Sequence, residues 1–178
     1  MDAQRNRDAL LDAAAAVFAR AGVDAPIRAI AAEAGVGVAT LYRHFPERSD
    51  LVVAVYNHQI ESLANAGTQL MRTAESPADA LREWVDLFVD FLATKHGLAS
   101  AMGSGNPTFR ALHAHFLERI VPVCGELLAA GVAAGQLRAE VDPYELMHGI
   151  GNICISTGDE RYEPRRIVAL VLSGLRTG

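Results

Sequence analysis

The sequence predicts an all-α chain in two parts, three short N-terminal helices and then a longer helical body. Three observations carry this. Alanine is abundant and runs of β-branched residues are few, which favours helix. Apolar residues recur at spacings of three and four through most of the 178 residues. Glycine and proline punctuate those stretches where helices would end and begin.

The first helix spans about Gln4 to Ala21, with Leu10, Ala14, Val17, Phe18 and Ala21 as its inner stripe, and ends at Gly22. A short helix covers Ile27 to Ala34 and stops at Gly35, where a residue without Cβ takes the left-handed backbone. Val36 is a buried plug, Gly37 a second bend, and Val38 starts another short helix. Pro46 opens a long helix through Leu51, Val55, His58 and Leu63, at a position where a missing N–H costs nothing. Ser76-Pro77 caps and opens the next, whose stripe is Leu81, Trp84, Val85, Phe88, Phe91 and Leu92. His96-Gly97 ends it, and a short helix covers Leu98 to Met102. After the loop Gly103-Ser104-Gly105, Asn106-Pro107 starts a helix with Phe109, Leu112, Phe116, Ile120, Cys124 and Leu127 inward. Pro122 denies the Glu118 carbonyl its helical partner, which predicts a kink. Gly135 closes that helix. Asp142-Pro143 opens a helix to about Gly158, and Glu163-Pro164 opens the last, with Ile167, Val168, Leu170, Val171, Leu172 and Leu175.

The pair at 27–45 is the most informative. Two short helices joined by a three-residue glycine turn make a helix-turn-helix, whose second helix enters the major groove of DNA. Ile30, Ala31, Val36, Leu41 and Phe45 form the inner side. Thr40, Tyr42, Arg43 and His44 face outward, and all offer hydrogen-bond donors. A merely solvated helical hairpin would show Glu–Lys pairs there instead.

Composition bounds the rest. Apolar residues make up 51% of the chain, so it can bury a core. The net charge of −5 is unusual for a DNA binder, and residues 1–50 hold six arginines against seven carboxylates. Placement outweighs the balance, because charges more than roughly 8 Å apart are screened at physiological salt. Arg28, Arg43, His44 and Arg48 make a local basic patch. Cys124 and Cys154 have no ligand spacing and read as free thiols. His113 and His115, near Glu118, stand two apart on a helix and face different ways, so no metal site is expected. No uncharged stretch reaches about 18 residues, so no membrane span is expected, and a cytoplasmic protein is. No catalytic constellation is visible: Ser100, Ser104 and Ser156 lack a nucleophile's setting, and no strand precedes a glycine-rich loop. Neither an enzyme nor a cofactor is expected.

The string Ala-Gly-Val-Gly-Val-Ala-Thr-Leu-Tyr-Arg-His-Phe-Pro-Glu-Arg-Ser-Asp-Leu, residues 34–51, resembles the signature of the TetR family of transcriptional regulators. The resemblance is specific over residues 5–60. It departs at Gly37, where relatives often carry Ser, and at Val38, where they often carry a polar or basic residue. It implies an N-terminal helix-turn-helix domain, residues 1–50, and a C-terminal ligand-binding and dimerisation domain, residues 51–178. It assigns DNA roles residue by residue. Arg28 matches a position that reaches a guanine edge, and Thr40, Tyr42, His44 and Arg48 match positions that hold phosphates. Arg43 reads a base or holds a phosphate, and small Ala39 sits where the helix nears the groove floor.

For the body, the resemblance implies a cavity for a small molecule. Trp84, Phe88, Phe91, Met102, Phe109, His113, Phe116 and Asn152 are its candidate lining, with His148 a further polar group. Most of these aromatics read equally well as packed core. The effector expected is mostly neutral and apolar. The two C-terminal helices, about 143–158 and 164–176, are apolar beyond one core's needs and read as the contact of a homodimer. The whole predicts a repressor that binds a palindromic double-stranded DNA operator and leaves it when an effector binds. The alternative is a DNA-binding regulator without a small-molecule effector, switched by a protein partner or by abundance.

Overall fold

The computed structural model describes residues 2–102, 106–138, 140–155 and 161–177; the side chains of 2–4, 93, 94 and 96–102 lie outside that description. Among the described residues eight helices follow one another: α1 Asp2–Ala21, α2 Ile27–Glu33, α3 Val38–His44, α4 Arg48–Thr73, α5 Pro77–Met102, α6 Pro107–Ala133, α7 Pro143–Ile153 and α8 Pro164–Leu175. Pairing of strand type is confined, among these residues, to one isolated antiparallel bridge between Leu137 and Arg176. No helix among them is long and apolar enough to cross a membrane.

Several expected caps are in place. Ser76 Oγ accepts from the Asp79 amide at 3.2 Å and donates to its carboxylate at 2.6 Å. Asn106 Oδ1 accepts from Thr108 N at 2.8 Å, and Asp142 Oδ1 from Glu145 N at 3.0 Å. Gly22, Gly35 and Gly135 carry φ of 78°, 65° and 68°, so three helices end where an L side chain would be strained.

Three boundaries depart from expectation. His96-Gly97 does not end a helix; α5 runs on to Met102, because glycine inside a helix costs only about 1 kcal/mol unless the chain turns left-handed. Pro46 does not open α4, which starts at Arg48, with the Glu47 carbonyl accepting from Leu51 N. Helix α7 stops at Ile153, not near Gly158, and Tyr162 Oη donates to the Ile153 carbonyl at 2.7 Å. Helix α6 contains Pro122 and continues as one element to Ala133. The expected loop at 103–105, Ser156 and Gly158 fall outside the described residues, as do the side chains of Ser100 and Met102.

The chain divides into two compact units. One comprises residues 1–60 with 93–113, the other 61–92 with 114–178, so α4, α5 and α6 each serve both. The first has a core of Leu10, Leu11, Val17, Phe18, Ile30, Leu41, Phe45, Leu51 and Val55. His58 Nε2, 2.8 Å from Asp12 Oδ1, ties α4 to α1 there. The second is built round Trp84, Phe88, Leu92, Ile120 and Leu127, all at most 1% exposed. Arg119 grips Glu61 with two bonds of 2.8 and 2.7 Å, which holds the Glu61 carboxyl below its usual range.

Candidate nucleic-acid interface

The turn between α2 and α3 is a Schellman motif. Val36 N bonds the Ala31 carbonyl at 3.0 Å and Gly35 N the Ala32 carbonyl at 3.2 Å, around Gly35 in the left-handed conformation. Val36 packs on the core of the first unit but is half-buried rather than fully so. Gly37 follows as an extended N-cap with φ −71° and ψ 145° and supplies no side-chain cap. Leu41 and Phe45, four apart, are buried and seat α3.

That seating turns the other side of α3 to solvent. Val38, Ala39, Tyr42, Arg43 and His44 are exposed and Thr40 is half-buried. Arg43 Nη2 donates to Thr40 Oγ1 at 3.1 Å, which steadies both side chains on the outer face. Arg28, in the first turn of α2, is exposed.

Arg48 is placed otherwise. Its Nη2 donates to the Val23 carbonyl and, at 2.6 Å, to the Ala25 carbonyl. The guanidinium is half-buried and stitches the α1–α2 turn to the start of α4, rather than standing out as a phosphate contact would. Sequence reasoning missed a neighbour: the Arg7 guanidinium carbon lies 5.6 Å over the Phe45 ring. Arg7 lines an open groove with His44, Ser49 and Asn57. The signal was an arginine in α1, but nothing local aims it at a ring 38 positions on.

The candidate lining of the effector cavity separates into groups. Trp84, Phe88, Phe116 and Phe91 form a continuous stack with centroids 5.9, 6.1 and 5.3 Å apart. All four are buried, and Trp84 Nε1 donates to the Leu63 carbonyl at 3.0 Å. Phe109 and His113 stack on each other at 6.4 Å. Asn152 and His148 are exposed on α7. Cys124 is buried, which pushes its thiol up to about 12, and Cys154 is half-buried.

Two families match consecutive parts of the chain. "Bacterial regulatory proteins, tetR family" matches residues 10–55, and "Transcriptional regulator SbtR-like, C-terminal domain" matches residues 76–177. The chain belongs to the TetR family. The TetR regulator SCO0520 from Streptomyces coelicolor shares its fold at TM-score 0.81 and 34% identity, over 96% of this chain and 98% of that one. The HTH-type transcriptional repressor LfrR of Mycolicibacterium smegmatis is 42% identical over 91 residues, 49% of this chain and 46% of LfrR. The chain thus spans about half the length of that curated relative. A regulator from Saccharomonospora viridis in complex with choline is alike in fold alone, at TM-score 0.69 and 18% identity over 99% of this chain and 100% of that one. TetR regulators bind DNA and function as dimers, and the matches of this chain are to transcriptional regulators rather than enzymes.

Proposed function

We propose that this TetR regulator is a homodimeric repressor that occupies a palindromic operator and leaves it when a small molecule binds. The observation that carries the DNA reading is the outward face of α3, where Tyr42, Arg43 and His44 are exposed on a helix anchored by Leu41 and Phe45. Arg28 is the candidate base reader, since its fork suits a guanine edge. Thr40, Tyr42, Arg43 and His44 hold backbone and Ala39 lets the helix approach. Arg48 positions this unit instead of touching DNA.

The dimer reading rests on α7 and α8. Leu170 is 61% exposed, with Ile167 and Tyr144 also open, and a Cβ on Gly149, Gly151 or Gly174 would meet nothing within 4 Å. A partner's paired helices would cover this face. Two reader helices must then stand roughly 34–36 Å apart, and a ligand preferring another spacing depletes the DNA-competent population.

The name of LfrR supports repression, and the choline bound by the Saccharomonospora viridis regulator of like fold supports a small-molecule effector. The close stacking of Trp84, Phe88, Phe91 and Phe116 favours the second reading, a DNA-binding regulator with no small-molecule effector, switched by a protein partner or by abundance. Fluorescence anisotropy on DNA from the regulator's own promoter region tests both. A saturable, sequence-specific complex of two chains per site supports the operator reading, and binding indifferent to sequence overturns it. Release by a neutral apolar compound supports the effector, and persistence through a broad panel of such compounds favours the second reading.

A further inference from the structure

Helix α8 has two apolar faces. Ile167, Leu170 and Gly174, three and four apart, lie on the open face assigned to the dimer. Val168, Leu172 and Arg176 run at spacings of four along the opposite side, with Ala169 and Ser173 beside them. That side meets the first turns of α5 across a cleft of about 310 Å³. Leu81, Leu137, Val168 and Leu172 make its apolar floor. The volume is at the lower end of ligand sites, roughly 300–1,000 Å³.

The rim is charged in an uneven way. Arg82 Nε and Arg176 Nη1 converge on one oxygen, Asp79 Oδ1, each at 3.7 Å and so beyond hydrogen-bond length. The other oxygen of Asp79 is taken by Ser76 at 2.6 Å. Arg82 has a second carboxylate at 3.8 Å in Asp86, which also faces Arg165 at 3.9 Å, and it reaches Glu83 at 3.2 Å. Two half-exposed guanidiniums therefore flank an apolar cleft, each in a long 3.7 Å ion pair with the same Asp79 oxygen, and Arg82 is also hydrogen-bonded to Glu83. A planar fork pairs best with two carboxylate oxygens at about 2.7–2.9 Å.

We propose that this cleft binds an amphipathic monocarboxylate, its apolar body on Leu81, Leu137, Val168 and Leu172 and its carboxylate between Arg82 and Arg176. The site stands apart from the aromatic stack, and the ligand wedges between α5 and the inner face of the helix whose outer face is assigned to the dimer.

Isothermal titration of the purified full chain, without DNA, with octanoate and with 1-octanol tests this, so failure leaves the operator reading untouched. The wild type should bind octanoate about tenfold or more tightly than 1-octanol, the worth of a charge-assisted hydrogen bond. R82Q/R176Q should abolish that preference. A169W should abolish both affinities, and A169L, a smaller plug that serves if A169W does not fold, should weaken both. Equal affinity for acid and alcohol overturns the carboxylate assignment. No octanoate binding at about 1 mM, or binding that survives both Ala169 variants, overturns the site.

Discussion

Gly67 on α4 faces Val123 on α6 so closely that a Cβ on Gly67 would overlap Val123 Cγ1 and come within 3.1 Å of Trp84 Nε1. The missing side chain is a packing requirement, since the second unit brings α4, α5 and α6 together at this point. Gly67→Ala should therefore destabilise the chain by about 1–3 kcal/mol from overpacking, despite a helix-propensity gain of up to about 1 kcal/mol. Gly125→Ala is the control. Its Cβ would meet Pro143 Cγ at an ordinary 3.6 Å, so the helix gain should dominate and the melting temperature rise. Thermal melts followed by circular dichroism check both signs, and an unchanged Gly67→Ala melt would contradict the packing account.

Arg48 and Arg28 should separate stability from readout. Arg48→Ala strips donors from the Val23 and Ala25 carbonyls and should lower stability by about 1–3 kcal/mol, with operator affinity falling for every sequence alike. Arg28→Ala, at an exposed site, should leave the melt within about 0.5 kcal/mol and relax preference at one base pair by about 1–3 kcal/mol. Binding to a panel of single-base operator variants, read beside the melts, distinguishes the two. Unchanged base preference in Arg28→Ala would remove it as a reader.

Leu170, 61% exposed on α8, should be a centre of the subunit contact. Leu170→Glu would bury an unpaired carboxylate there and should split the dimer, since such a charge costs several kcal/mol. Operator affinity should fall with it, because both half-sites are engaged at once. Light scattering gives the mass directly, and a wild-type monomer at micromolar concentration would refute the contact.

Lys95, the only lysine, is half-buried, and burial lowers its ammonium to about 8 from an ordinary 10.5. Between those values the folded chain holds fewer protons than the unfolded one, so this residue makes stability rise with pH from about 8 to about 10.5. Any gain in stability from Lys95→Met at pH 7 should therefore shrink by up to about 3 kcal/mol as pH rises toward 10.5. Urea melts of both forms at pH 7, 8.5 and 10 measure it, and a gain independent of pH would point to packing alone.

The sequence by itself determined what backbone chemistry settles locally. Gly35 ends α2 because only a residue without Cβ takes its left-handed φ freely, and Ser76, Asn106 and Asp142 cap because their oxygens reach amides two or three residues on. The outward donors of α3 were legible from Leu41 and Phe45, since burying that pair dictates which side remains in water. The end expected at Gly97 failed for a related reason: a glycine permits a turn without compelling one. Only the tertiary structure decided the contacts of Arg48, Arg7 and the aromatic residues. Arg48 looks free until the chain brings Val23 and Ala25 under it, and the aromatics read equally as pocket wall or core until Trp84, Phe88, Phe91 and Phe116 stack on one another. The α5–α8 cleft belongs to the same class, because Arg82 and Arg176 stand 94 positions apart in the chain. Local periodicity records which face a helix buries, but what that face meets depends on contacts across long chain separations, which no local pattern carries.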